Sequence, residues 1–149
     1  MTVGEICTRE TVVAARNMMV PEAAQLMRQY HVGSIVVVEE NGQGRKPVGI
    51  ITDRDIVVAM VGKNVEAQNI EVGEIMSGEL ITVREQDSML DALDVMRRQG
   101  VRRLPVVDSD GALVGLITLD DALEVVAEQL NDLAAVITRE RSREAKTRR

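Results

Sequence analysis

The sequence predicts an α/β (α+β) fold: two tandem β-α-β-β-α units packed on each other, continued by an extended C-terminal helix. Three observations carry this. The chain is written twice, hydrophobic periodicity alternates between strand and helix in the same order in both copies, and the apolar stripe of the last helix outlasts the second copy. At 149 residues the chain suits one compact unit or two small repeats sharing a core.

Shifting the sequence by 69 positions lays Glu5-Ile6 on Glu74-Ile75, Ala23 on Ala92 and Met27-Arg28 on Met96-Arg97. The same shift lays Val32 on Val101, Val37-Val38 on Val106-Val107 and Gly42 on Gly111. Beyond that point the shift is 66, with Val48-Gly49 on Val114-Gly115, Ile51-Thr52 on Ile117-Thr118 and Asp55 on Asp121. The difference falls in "GQGRKP", a loop tip where extra residues add little closure entropy.

Each copy opens on an echo of the other, "TVGEIC" and "EVGEIM". A β-prone stretch follows, Thr11–Ala14 or Leu80–Val83, and then a helical segment, Val20–Tyr30 or Ser88–Gln99. Next come "SIVVVEENG" and "RLPVVDSDG", β-branched runs that end in a turn signal, and a second strand, "PVGIIT" or "LVGLIT". The turns at Asn41-Gly42 and Asp110-Gly111 suit hairpins, and the nearly continuous apolar strands suit a sheet covered by helices. A second helix opens at Thr52 or Thr118. "GKNVEAQNI" between the copies is polar and aperiodic and reads as a linker. The resulting division is 1–62, a linker at 63–71, 72–128, and a helix extension with a basic tail at 129–149. A unit of about 60 residues buries little alone, so the two should pack together.

The composition narrows the function classes. With no Phe or Trp, and Tyr30 the only Tyr, the core must be aliphatic, helped by eight Met. Cys7 is alone, so no disulfide framework exists and a reducing cytoplasm is the expected home. The first residues lack a secretory pattern and no apolar run is long enough to span a bilayer, so a soluble protein without membrane association is expected. A net charge of -6 argues against general attraction to nucleic acid or anionic lipid. The segment from Thr138 differs, with six Arg or Lys against two Glu. It reads as a solvated helix end, or as a basic arm for nucleic acid or an acidic partner.

The repeated strings "GIITDRDI" and "GLITLDDA" place Thr52 and Asp55, and again Thr118 and Asp121, where a strand enters a helix. One reading is a capping box: Thr accepts from the amide three residues on, and the acid reaches back. The other is a binding rim, since free helix amides, a hydroxyl and a carboxylate converge there. A carboxylate accepting two hydrogen bonds fits the adjacent hydroxyls of a ribose, and hydroxyl and amides suit phosphate. The two uses are compatible.

Duplicated in register, these junctions resemble the tandem CBS domain pair (Bateman module), as do "HVGSIVVVEENG" and "GVRRLPVVDSDG"; the resemblance covers roughly residues 1 to 128. It implies two CBS repeats related by a pseudo-twofold axis, with clefts between them that take adenosine-containing ligands. AMP, ADP or ATP stand ahead of NAD or S-adenosylmethionine, as regulatory ligands rather than obligatory cofactors. Carried over by position, Asp55 and Asp121 would hold ribose, and Thr52 and Thr118 ribose or phosphate. Arg54 could pair with phosphate, where Asp120 would repel it. Thr11-Val12-Val13 and Leu80-Ile81-Thr82 would wall the adenine. Arg102-Arg103 would face phosphates where the first copy has Gly33-Ser34, so the two sites should be unequal.

His31 lacks partners at a metal-ligand spacing, Cys7 aligns with Met76 as a packing residue, and no nucleophilic or acid-base constellation or phosphate loop appears. Neither catalysis nor a metal site is expected. Leu119, Leu123, Val126, Leu130, Leu133 and Ile137 form a heptad seam, of which the part near Leu130–Ile137 is a candidate dimer surface. Homodimers are common in the resembled family. The reading is a non-catalytic nucleotide sensor. Its alternatives are a structural or partner-binding dimerisation module with unused clefts, and a scaffold for a tail that contacts nucleic acid.

Overall fold

The β-branched runs at the centre of each copy become the middle strands of two three-stranded sheets. The protein is described by a computed structural model, in residues 1–148. One sheet is ordered β1 (Val13–Ala14), β2 (Ser34–Asn41), β3 (Gly44–Thr52); the other β4 (Val83–Arg84), β5 (Arg103–Val107), β6 (Leu113–Thr118). In each, the first strand pairs parallel with the second, and the second antiparallel with the third. The duplication extends to irregularities: the register shifts between Val37 and Val38 and again between Val106 and Val107.

A parallel pair needs a crossover, and a helix supplies it in both repeats. These are α2 (Val20–Tyr30) and α5 (Met89–Gln99), which bury Val20, Ala23, Met27 and Met89, Ala92, Met96, at the spacing of one helical face. α2 stops at His31 (φ 53°) and α5 at Gly100 (φ 66°), both left-handed C-caps. His31 is thus placed as the cap that ends α2. The second helix of each repeat is α3 (Asp53–Met60) or α6 (Leu119–Thr147).

Three strands differ in extent from the sequence expectation. The strand expected over Thr11–Ala14 forms only at Val13–Ala14, and that over Leu80–Val83 becomes Val83–Arg84. Thr11, Val12, Leu80, Ile81 and Thr82 precede the short first strands, and Val12 O still accepts from Val36 N (3.2 Å) at the edge of β2. Conversely β3 starts at Gly44, three residues before Pro47. The hairpin arms lengthen because Arg45 faces Glu40 and Lys46 faces Glu39 across the pair.

The repeats exchange their lead-in segments. The helical turn α1 (Val3–Ile6) sits on the second repeat, with Val3 N donating to Asp87 O (2.8 Å) and Gly4 N to Glu85 O (2.8 Å). Its counterpart α4 (Val72–Ile75) sits on the first, with Val72 N donating to Met18 O (2.8 Å) and Gly73 N to Arg16 O (2.9 Å). Val3 is thus buried among Val83, Ala92, Leu104 and Ile117, and Val72 among Ala23, Ile35, Val37 and Ile51. A third cluster joins the sheets, where Val36 and Val38 meet Leu113 and Leu116. Among the described residues no polar or charged residue is buried, so the core is wholly aliphatic.

Candidate functional site

Both Thr-x-x-Asp junctions are capping boxes. Thr52 is the N-cap of α3, its Oγ1 accepting from Asp55 N (3.1 Å) while Asp55 Oδ2 accepts from Thr52 N (2.9 Å). Thr118 and Asp121 repeat this at α6, at 3.2 and 2.8 Å. Each box occupies one carboxylate oxygen. Among the described residues no donor reaches Oδ1 of Asp55 or Asp121, so both remain free to accept.

What faces Asp55 comes from the other repeat. Ser77 N donates to Ile50 O (2.9 Å), pinning the chain after α4 along the edge of β3. This approach needs glycine: a Cβ on Gly49 would lie 2.7 Å from Met76 Sδ and 2.9 Å from Ser77 O. From that anchor the chain carries Glu79, Leu80 and Ile81 across the end of β3. The result is a cleft of about 280 Å³ lined by Thr52 and Asp55 on one side and by Leu80, Ile81, Arg102 and Arg103 on the other. Ile50, Val101 and Leu104 add apolar surface, and Ser77 and Glu79 add polar groups. The volume sits near the lower end of small-molecule sites, roughly 300 Å³ upward.

The cleft therefore combines aliphatic residues, a hydroxyl-carboxylate rim and two arginines. Arg102 is largely exposed and only loosely held, its Nη2 3.9 Å from Asp120 Oδ1, so it can be recruited by another anion.

The remaining sequence-derived residues lie elsewhere. Arg54 lies with Val58, Ala59, Lys63 and Glu74 in a separate hollow that touches Asp55. Thr82 lies beside Arg84, Asp87, Asp108 and Asp110. Thr11, Val12 and Val13 share a hollow with Glu10, Leu26, Tyr30 and Val32, on the counterpart side of the pseudo-symmetric arrangement. Thr118, Asp120 and Asp121 line neither that hollow nor the cleft at Asp55. At the counterpart of Arg102, Gly33 accepts through its carbonyl from Asp53 N (3.0 Å), and Asp53 Oδ2 would lie 3.3 Å from a Cβ there. A carboxylate thus stands at Gly33, beside Ser34, where the other repeat presents arginine. Thr11 Oγ1 is buried and has no partner among the described residues.

Sequence reasoning missed Ile50, Ser77, Glu79, Val101 and Leu104. Each lies in or beside a segment of the repeat pattern, but only the exchange of lead-ins brings them to one cleft. Cys7 packs on Gly115 as Met76 packs on Gly49. Burial raises its thiol pKa above the ordinary value, against the opposing pull of Arg9. That is a packing role, not an activated nucleophile. Among the described residues no group of three or more His, Cys, Asp or Glu is placed to hold a metal ion, and no helix is long and apolar enough to cross a membrane.

The chain belongs to the CBS domain family, whose profile matches residues 3–62 and 72–128. An uncharacterised protein of Methanopyrus kandleri is 36% identical over 125 residues, 84% of this chain. The chain spans 62% of that relative's length. Among solved structures, the CBS domain pair of protein MJ0100 in complex with 5′-methylthioadenosine and S-adenosyl-L-methionine superposes with a TM-score of 0.73 at 27% identity, covering 85% of this chain and 99% of that one. The cytosolic domain of the Mg2+ channel MgtE in complex with ATP has a TM-score of 0.70 at 29% identity, covering 83% of this chain and 48% of that one.

Proposed function

We propose that this CBS domain pair is a non-catalytic sensor of adenosine-containing ligands, with AMP, ADP or ATP as the leading class. The observation that carries the reading is the cleft in which Thr52 and Asp55 of one repeat face Leu80, Ile81, Arg102 and Arg103 of the other. Asp55 Oδ1, unused by the cap, accepts from the ribose hydroxyls. Leu80 and Ile81 cover the base, and the arginines meet the phosphates with a fork matched to their oxygens. The counterpart rim at Asp121 takes a ligand with less negative charge, because Asp53 stands where an arginine would. The MJ0100 pair and the MgtE domain, both in complex with adenosine-containing ligands, support the class.

Because the walls come from both repeats, a bound ligand bridges them and shifts their relative packing. The protein acts as a cytoplasmic homodimer that transmits that shift to its dimer geometry or to a partner. At a hundredfold excess over Kd, binding contributes about 2.7 kcal/mol, enough to tip a balanced arrangement. A second reading is favoured by the two complete capping boxes: a structural or partner-binding module in which the clefts stay unused.

Thermal shifts with AMP, ADP, ATP, NAD and S-adenosylmethionine separate the two. Stabilisation by an adenosine ligand that is lost in Asp55→Ala supports the sensor. No shift with any of the five supports the module.

A further inference from the structure

α6 runs on far past the body it starts from. It is 29 residues long, about 43 Å, and from Val126 onward every described residue is exposed. Yet its outer half is not built for water. Leu130, Leu133 and Ile137 are 62%, 64% and 54% exposed, and they continue the seam of Leu123 and Val126. An isolated helical extension of this length is marginal without a packed face. A covering surface must therefore supply an apolar stripe.

Charge identifies the cover. Between Leu119 and Ile137 the helix carries Asp120, Asp121, Glu124, Glu128 and Asp132 and no basic residue. Between Thr138 and Thr147 it carries Arg139, Arg141, Arg143 and Lys146 against Glu140 and Glu144, with Arg148 at its C-cap. Two such helices side by side in the same direction set acid against acid and base against base. Turned end for end, each basic stretch runs along the acidic stretch of the other. The seam permits this: with Leu130 of one copy against Leu133 of the other, Val126 meets Ile137, and Arg139 and Arg143 come alongside Glu124 and Asp120. Ala127 and Ala134 flank the seam and let the helices approach closely. Phosphate polymers fit worse, since the apolar stripe and five carboxylates lie on the same helix.

We propose that the occupant is a second copy of this chain, its α6 packed antiparallel on the first. This rests on the homodimer of the preceding reading and adds its interface and direction. It leaves the cleft at Asp55 to be tested independently.

Sedimentation velocity of the full chain and of Leu130→Glu/Leu133→Glu tests the interface. Both side chains are exposed, so circular dichroism should show the fold retained while dimerisation weakens at least about tenfold. Spin labels at Ser142→Cys, in a Cys7→Ser background, test direction. An antiparallel pair centred between Leu130 and Leu133 places the two labels about 30 Å apart along the axis. A separation under about 20 Å means parallel helices and overturns the proposal. So does a dimer unaffected by the double substitution, although the homodimer itself then stands. A monomeric chain that binds duplex DNA through Arg139–Arg148 overturns both the proposal and the homodimer.

Discussion

Gly115→Ala tests how the repeats are locked together. In the native chain the residues after α1 cross β6, with Thr8 N donating to Leu116 O (2.9 Å) and Leu116 N to Thr8 O (3.0 Å). A Cβ on Gly115 would lie 2.7 Å from Cys7 Sγ and 2.8 Å from Thr8 O. The sulfur can rotate away, but the carbonyl belongs to a segment tied on both sides to β6. The lead-in must therefore lift, which also strains Val3 in its pocket between Val83 and Leu104. Overpacking of this kind costs about 1–3 kcal/mol. At roughly 2–4 °C per kcal/mol for a chain of this size, the midpoint of thermal unfolding should fall by about 2–12 °C. Gly78→Ala is the control, because a Cβ there meets nothing within 4 Å. Removing the sulfur in Cys7→Ala/Gly115→Ala should recover only part of the loss, since the contact with Thr8 O stays. Coincident melting of Gly115→Ala and Gly78→Ala in circular dichroism scans would mean that the lead-in is not held against β6 at Gly115.

Further outcomes follow from the same structure. Thr52→Ala and Thr118→Ala should each lose about 1 kcal/mol in urea unfolding, and Thr52→Ser much less, because serine preserves the cap. Arg102→Ala/Arg103→Ala should weaken ATP binding by about ten- to a hundredfold in calorimetry while leaving adenosine binding largely unchanged. Cys7 should react with iodoacetamide more slowly than a free thiol at mildly alkaline pH, because burial holds the thiol protonated. With its pKa raised in the folded state, its contribution to stability is present below the ordinary thiol range and lost as pH rises through the raised value. Cys7→Ala should flatten that alkaline decline in urea titrations.

The duplication was legible because it is local. Shifts of the whole sequence exposed it, and the crossover helices and hairpins followed from periodicity and turn residues in each copy. The Thr52-Asp55 and Thr118-Asp121 junctions were legible for the same reason, a cap being set by four consecutive residues. Long-range placement was not. The echoing lead-ins read naturally as part of the repeat each precedes, and only their exchange brings Leu80 and Ile81 over Asp55. Gly49 and Gly115 carried the signal, since a strand glycine marks a close backbone approach, but not which backbone approaches. Likewise the sequence distinguished Arg102-Arg103 from Gly33-Ser34 without saying which rim the arginines reach. Arg54 illustrates the limit of analogy by position: adjacent in sequence to Asp55, it leaves the helix start in another direction and lies outside the cleft.

Asp55 should hold a ligand as well as cap α3, and Asp55→Asn separates the two roles. An amide oxygen can still accept from Thr52 N, so the helix start survives while the charge is lost. Calorimetry with ATP and AMP on the wild type, Asp55→Asn and Asp121→Asn is the direct measurement. Asp55→Asn should weaken the tighter nucleotide by about ten- to a hundredfold, while Asp121→Asn should leave it nearly unchanged. Equal affinity in all three proteins, or no adenosine nucleotide bound by any of them, contradicts a ligand-holding role for Asp55.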